Sequence, residues 1–441
     1  MSEEILQTPG DVRIKKLILA KEDGTSLDIL DYLIELNLYE SIFSPALTGS
    51  MTLGDSRNLI QSFPLLGEEI LFFEATTPSS GVSIEKAFRL YSIVEKNYAT
   101  DGATQVYTVQ FTSVELFRDI SNPIYRSFEG TPSEIVGQIF EEYLRVPRNV
   151  DGLNKNITTD SSYTPLFLFS VSTNLIKFVS PGWTPVQCIN WLCAHAEPYG
   201  EKAADFLFWE SNKSFYFGTI EDIISIKDEV NAGTYYYSAA MMNSDASIQS
   251  KMMAVRDISF KRLYDQLQNK MEGFLSSRLT TVDLINKRYD NYDYDYTNNF
   301  GRYNHLETDN AIPLHSTNTS RNPLVHRMVN YSLPDMFTGF TNNYSESFKF
   351  IYGNRRSNIM RLNNLIIKLV IPGRTDLEAG SVIDLILPRG FPNSPEDTNT
   401  NARDPMYSGK YLITSINHKF NPITHFITMN VTKDSLSNTE T

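Results

Sequence analysis

The 441-residue sequence predicts a mainly β protein with α+β parts: two antiparallel β-barrel or sandwich units, a mixed α/β segment and an insertion. Three observations carry that prediction. Runs with a period of two dominate both ends of the chain, and aromatic residues reach 12% and crowd into those runs. Segments of the second half also echo, in the same order, strand-like segments of the first.

The first unit spans residues 1–115. In Asp31–Leu38 the even positions Tyr32, Ile34, Leu36 and Leu38 are apolar and the odd ones mostly polar, the period of a half-buried strand. Turn signals at Ser44-Pro45 and Gly49 lead into Ser50–Leu53, and Gly67 opens Glu68–Phe73. Phe88–Lys96 and Gln105–Ser113 follow, separated by a turn at Asp101-Gly102. No helical period competes here.

Residues 116–254 read as mixed α+β. Thr131-Pro132-Ser133-Glu134 supplies an N-cap, a proline at the first helical position and an acid at the third, ahead of Ile135, Ile139, Tyr143 and Leu144. The same device returns at Thr184-Pro185-Val186-Gln187, ahead of Cys188, Ile189, Trp191 and Leu192. A polar stretch, Asn154–Thr164, lies between them, and Phe206–Trp209 with Phe215–Phe217 predicts a hairpin.

The second unit is expected in two pieces, residues 255–290 and 364–433. Gly380–Ile386 echoes Gly67–Phe73, Lys410–Lys419 echoes Arg89–Asn97, and Thr424–Lys433 echoes Val106–Val114. Upstream, Val255–Leu263, Gly273 and Arg278–Lys287 resemble Leu33–Tyr39, Gly49 and Ser50–Arg57. The inserted segment, residues 291–363, adjoins the biased run Tyr289–Tyr296, and Phe348, Ile351, Tyr352, Ile359, Leu362 and Ile366 fit helical spacing. Pro388–Pro405 reads as an exposed loop, and residues 434–441 as a polar tail.

Composition narrows the function. Lys plus Arg total 39 against 52 Asp plus Glu, so the net charge of −13 argues against phosphate-driven DNA binding as the main activity. Sixteen acids and eight bases fall in residues 1–111, a local net charge of −8. No run of apolar residues is long enough for a membrane helix, and the acidic start Met1-Ser2-Glu3-Glu4 has no signal-peptide pattern, so a soluble protein made in a cytoplasm is expected.

No motif supplies chemistry, and no catalytic, cofactor-binding or metal-binding residue is assigned. There is no GxxxxGK[ST], no strand-linked GxGxxG and no GxSxG. The six histidines, His195, His305, His315, His326, His418 and His425, lack zinc-site spacing. Cys188 and Cys193, the only cysteines, are five apart on a helix and read as buried apolar groups rather than a redox pair; His195 diverges from Cys193. Asp290, Asp293 and Asp295 lack the glycine and glutamate of a calcium loop and read as a solvated, Tyr-rich surface. Arg355, Arg356 and Arg361 read as intersubunit or core-rim salt-bridge donors rather than phosphate ligands, Glu68-Glu69 as a strand edge and Glu141-Glu142 as a solvated helix face.

A family resemblance adds a role. Tyr39–Pro45, Leu47–Asp55 and Pro64–Ile70, together with Ile371-Pro372-Gly373-Arg374-Thr375, Leu377–Ile383 and Ile423–Thr432, resemble the central baseplate hub proteins of T-even-like contractile-tailed phages. The resemblance runs over nearly the whole chain as loose patterns. It implies two tail-tube-like β domains per chain and a homotrimer whose six such domains form a pseudohexameric ring. That ring would join the hexameric tail tube, or a tube-initiator protein, to a trimeric membrane-puncturing spike, within the surrounding baseplate wedge proteins of a virion. DNA would only pass through its lumen during genome ejection, and the acidity of residues 1–111 would suit a lumen that repels it. The role is structural, with no enzyme activity and no cofactor. A hub of a tailocin or type VI-like machine is the nearest alternative, and a secreted glycan-binding or glycan-degrading β protein a more distant one.

Overall fold

The computed structural model describes residues 7–56, 63–78, 80–98, 104–145, 164–200, 202–229, 231–237, 246–283, 287–310, 325–330, 344–389 and 403–436. The expected Asp101-Gly102 turn and most of the 154–164 stretch, the 388–405 loop and the 311–343 part of the insertion lie outside these residues.

The N-terminal strands are β1 (Arg13–Ala20), β2 (Ser26–Asp28), β3 (Leu33–Ser41), β4 (Thr48–Asp55), β5 (Ile70–Thr76), β6 (Ser83–Tyr98) and β7 (Gln105–Ser113). They pair antiparallel in the order β3-β4-β7-β6-β5-β1-β2. One face buries Leu36, Leu38, Met51, Leu53, Leu90, Tyr107, Val109 and Phe111. Gly49 is dictated by this packing: a Cβ there would lie 2.2 Å from the Phe111 ring. The period-two reading needs one correction. A bulge between Leu33 and Glu35 shifts the parity, so Leu33 joins the core and Ile34 is 47% exposed.

The middle of the chain forms α1 (Val114–Ser121), β8 (Ser127–Gly130), α2 (Pro132–Ile139), β9 (Leu166–Leu168), β10 (Ile176–Val179), α3 (Pro185–His195), β11 (Leu207–Glu210), β12 (Phe215–Gly218), α4 (Ile220–Glu229) and β13 (Thr234–Tyr236). Both capping boxes are present: the Thr131 and Thr184 hydroxyls accept from the third helical N–H, and Glu134 and Gln187 reach back. Ile135, Ile139, Cys188, Ile189 and Leu192 then meet the β11–β12 hairpin through Phe206, Phe208, Phe215 and Phe217. Parallel pairing of β9 on β12 extends that hairpin to three strands.

The C-terminal part contributes β14 (Asp257–Leu263), β15 (Ser276–Asp283), β16 (Arg288–Asp295), β17 (Asp309–Asn310), β18 (Val325–Asn330), α5 (Tyr344–Arg361), β19 (Leu365–Pro372), β20 (Val382–Ile386), β21 (Gly409–Phe420), β22 (His425–Thr432) and β23 (Ser435–Leu436). The antiparallel order β14-β19-β22-β21-β20 repeats β3-β4-β7-β6-β5 strand for strand. Even a bulge recurs: β6 slips between Leu90 and Ser92 opposite Phe111 and Gln110, and β21 between Ile413 and Ser415 opposite Val431 and Asn430. The echo assigned to Arg278–Lys287 is corrected. Strand β15 pairs with β16 and β18 in a separate sheet, and β19 takes the position equivalent to β4. The helical series also ran too far, since α5 stops at Arg361 and Ile366 belongs to β19. The hairpin register explains the β15 slip, because a period-two run is compatible with either sheet.

The chain beyond residue 433 does not begin as a tail. Asp434 and Ser435 are buried, and β23 pairs with β17. Residues 437–441 lie outside the described set. Among the described residues no helix is long and apolar enough to cross a membrane.

Candidate functional site: the seam between the two β units

Strand β21 of the second unit pairs antiparallel with β3 of the first, from Ser415↔Ser41 to Phe420↔Leu36, so one thirteen-stranded sheet crosses both units. The backbone of Ile42 extends this ladder by donating to the Thr414 carbonyl at 3.0 Å.

On the core side, Glu40 is buried at the seam. Its Oε1 accepts from the Asn212 N–H and its Oε2 from the Ala379 N–H, both at 3.1 Å. His418 Nε2 stands 3.6 Å from the same carboxylate, and His418 Nδ1 lies 3.1 Å from His425 Nε2. Burial, and then the adjacent His418, hold the His425 imidazole well below its usual pKa. Gly373 makes room for that ring, since a Cβ there would lie 2.1 Å from it.

The run Ile371–Gly380 is a clasp. Thr375 exchanges hydrogen bonds with Thr77, N–H to hydroxyl in both directions at 3.1 Å, and its hydroxyl donates to the Val82 carbonyl at 2.6 Å. These bonds fix the β19–β20 loop to the β5–β6 loop. Arg374 holds Asp376 through two bonds and donates to the Ala232 carbonyl at 3.0 Å. Glu378 accepts from the Ser211 hydroxyl, the Tyr216 hydroxyl and Lys227 at 2.8, 2.9 and 2.5 Å. Burial works to raise the Glu378 pKa, but Lys227 and Lys213 outweigh it and hold the carboxyl below its ordinary value. The C-terminal residues that carry the family resemblance therefore bind the two units and the hairpin together.

On the opposite face, a cleft of about 460 Å³ straddles the seam, lined by Tyr39, Lys261, Lys368, Asn417 and Asn430 among others. A ladder of amides and hydroxyls continues from it, with Asn430 donating to Ser415, Asn417 to Asn37, and Thr52 bonded to Thr108. Across β3, β4, β7, β21 and β22 the acid whose strand parity points to this face is Glu35, paired with Lys419 at 2.7 Å; Glu40, buried from the core side, also borders the cleft. The acidity of the first unit sits elsewhere: Glu40, Asp55 and Glu69 are buried, and Glu74 pairs with Lys15 and Lys16. Glu35 is balanced by Lys419, and Lys261 and Lys368 add positive charge at the cleft, so the expectation of an acidic lining does not apply to this face.

The other residues singled out in the sequence are scattered and mostly engaged within the chain. Burial raises both thiols, Cys188 beside Ser180 and Cys193 to about 12. His195 stacks on Trp191 and bonds the Trp191 carbonyl at 2.7 Å, and burial lowers its pKa. Asp293 holds Arg278, Asp295 caps the following turn, and Tyr296 is core rather than surface. Arg355 donates to the Cys193 and Phe206 carbonyls and Arg356 to that of Glu272, while Arg361 is fully buried, 3.6 Å from both Asp205 and Asp434. All three arginines are engaged inside the chain, the core-rim side of the expectation. Glu69 accepts from the N–H groups of Leu66, Gly67 and Glu68, and Glu141 and Glu142 pair with Arg145 and Arg126. Glu40, His418, His425 and Asp434 were not singled out as seam or core polar groups; a polar residue at core parity, as Glu40 is with Leu36 and Leu38, is the signal that marks them.

No protein-family model and no curated protein sequence matches the chain. Solved structures do. The tail protein from Neisseria meningitidis MC58 aligns with 97% of this chain and 96% of its own, at 9% identity and a TM-score of 0.52. The 43 kDa tail protein of prophage MuSo2 from Shewanella oneidensis aligns with 97% of this chain and 100% of its own, at 10% identity and a TM-score of 0.52. An Escherichia coli component of the type VI secretion system, described as similar to the T4 tail proteins gp27 and gp5, scores 0.41 at 8% identity, so only the first two bear on the fold. The chain has the fold of these two tail proteins.

Proposed function

We propose that the chain is a structural, non-enzymatic component of a phage tail, the central hub of a contractile baseplate. Three copies close into a ring of six similar β units, which joins a hexameric tail tube to a trimeric spike and leaves a lumen for DNA. The observation that carries this reading is the five-strand unit present twice and joined edge to edge, β21 on β3. A head-to-tail contact between similar units closes into a ring when the rotation allows, and two units per chain turn a threefold ring into a six-unit one. The likeness in fold to two phage tail proteins supports the same reading. Light scattering on the purified chain is expected to give three times the 50.2 kDa of one chain. A persistent monomer at high concentration overturns the ring.

A further inference from the structure

The same duplication that makes the seam leaves two strand edges open. Strand β5 covers β6 only over Ser83–Arg89, and the last bond on that side runs from the Leu90 N–H to the Glu69 carbonyl. From Ser92 to Tyr98 that edge has no strand beside it among the described residues. At the other end of the sheet β14 pairs, among the described residues, only with β19. Both edges carry exposed apolar side chains: Ile93, Val94 and Tyr98 (66%) on β6, Phe260 (41%) and Leu263 on β14. Open apolar edges of this kind are templates for another strand.

The repeat identifies that strand. The open part of β6 is equivalent to the part of β21 that carries β3, because the shared bulge aligns Ser92 with Ser415 and Ile93 with Ile416. Strand β14 is equivalent to β3, since Leu38 lies opposite Gly49 and Phe260 opposite Ile367, which in turn lie opposite Phe111 and Val431. Each free edge is thus the counterpart of one half of the seam already formed within the chain.

Resting on the ring reading, we infer that β14 of one copy pairs antiparallel with β6 of the next, repeating the β3–β21 seam. The register transferred from that seam is Ser92↔Tyr264, Ile93↔Leu263, Lys96↔Phe260, Asn97↔Ser259 and Tyr98↔Ile258. It brings Tyr98 against Ile258 and covers Ile93, Phe260 and Leu263 from solvent. The occupant is a second copy of this chain, and the contact is heterologous, so it propagates around the ring.

Paired cysteines test the register. Directly opposed residues have Cβ atoms about 4.5–5.5 Å apart, close to disulfide reach. The Asn97→Cys/Ser259→Cys variant, oxidised and run without reductant, is expected to shift mostly to covalent dimers and trimers, while each single variant stays monomeric on the gel. Native Cys188 and Cys193 are buried and do not interfere. A one-residue slip sends side chains to opposite faces, so Asn97→Cys/Ile258→Cys is expected to stay uncrosslinked. A threefold mass by light scattering with no crosslink in the first pair, or with crosslinking in the slipped pair, overturns the register and leaves the ring standing. A monomeric mass with no crosslink overturns both. Should the first double variant lose its circular dichroism, Lys96→Cys/Phe260→Cys reads the next rung of the same ladder.

Discussion

His425 shows how much one position can reveal. Its ring lies against Gly373 and His418 with no exposed surface, and burial keeps it neutral well below the usual histidine pKa. The unfolded chain takes up that proton first as pH falls through about 6.5, so this stability is full above 6.5 and is lost below it. Asp205 works the other way: burial, only partly offset by Arg361, raises it to about 6, which favours the folded state as the pH falls through that value. Comparing the wild type with His425→Gln cancels the Asp205 contribution. Between pH 7.5 and 5.5 the wild type is expected to lose about 1.4 kcal/mol more than the variant, read from urea unfolding at each pH. Equal losses would show that His425 is not buried neutral.

At the scale of elements, helix α5 does the most to organise the second half. Its arginines reach inward, to carbonyls of α3, of Phe206 just before β11 and of the turn before β15, and to two buried acids. Burial works to raise the Asp434 pKa, but His305 and Arg361 hold it far below the ordinary carboxylate range, so the pair anchors the chain end on the helix. Arg361→Met keeps the length of the side chain and strands both acids. It is expected to cost about 3–5 kcal/mol in urea unfolding at neutral pH. A loss below about 1 kcal/mol would mean that water reaches Asp434. Strand β19 follows directly, and its near-continuous apolar run LIIKLVI matches a helix pattern as well as a strand pattern. That ambiguity explains why helical spacing alone extends past Arg361 and why the period of β15 alone suits the missing strand.

Over the whole molecule, the parts are joined by buried charge as well as by the shared sheet. Lys86 on β6 donates to Glu210 on β11 at 2.8 Å, and Glu210 also accepts from the Leu47 N–H at 2.9 Å. Both side chains are buried, so the first β unit and the mixed segment are fixed together without water. Lys86→Met leaves Glu210 without its cation and is expected to destabilise by about 3–5 kcal/mol. Fluorescence of Trp183, Trp191 and Trp209, all in the mixed segment, reports that loss alongside far-UV dichroism. A variant as stable as the wild type would show that the two parts are held by other contacts. The clasp from Ile371 to Gly380 adds to this joint from the second unit, through Thr375 and Glu378.

By itself the sequence determined what depends on neighbours along the chain: strand parity, the two capping boxes, the β11–β12 hairpin and most of the duplication. Those signals are local, because side-chain alternation and cap hydrogen bonds are set within a few residues. Only the tertiary structure decided which strand fills the place of β4, that the arginines of α5 turn inward, that Asp434 is core, and that β21 lies on β3. These depend on partners far apart in the chain, 84 residues for Arg356 and Glu272 and 380 for Asn417 and Asn37, and a run with the right period fits more than one sheet until the packing of the rest selects among them.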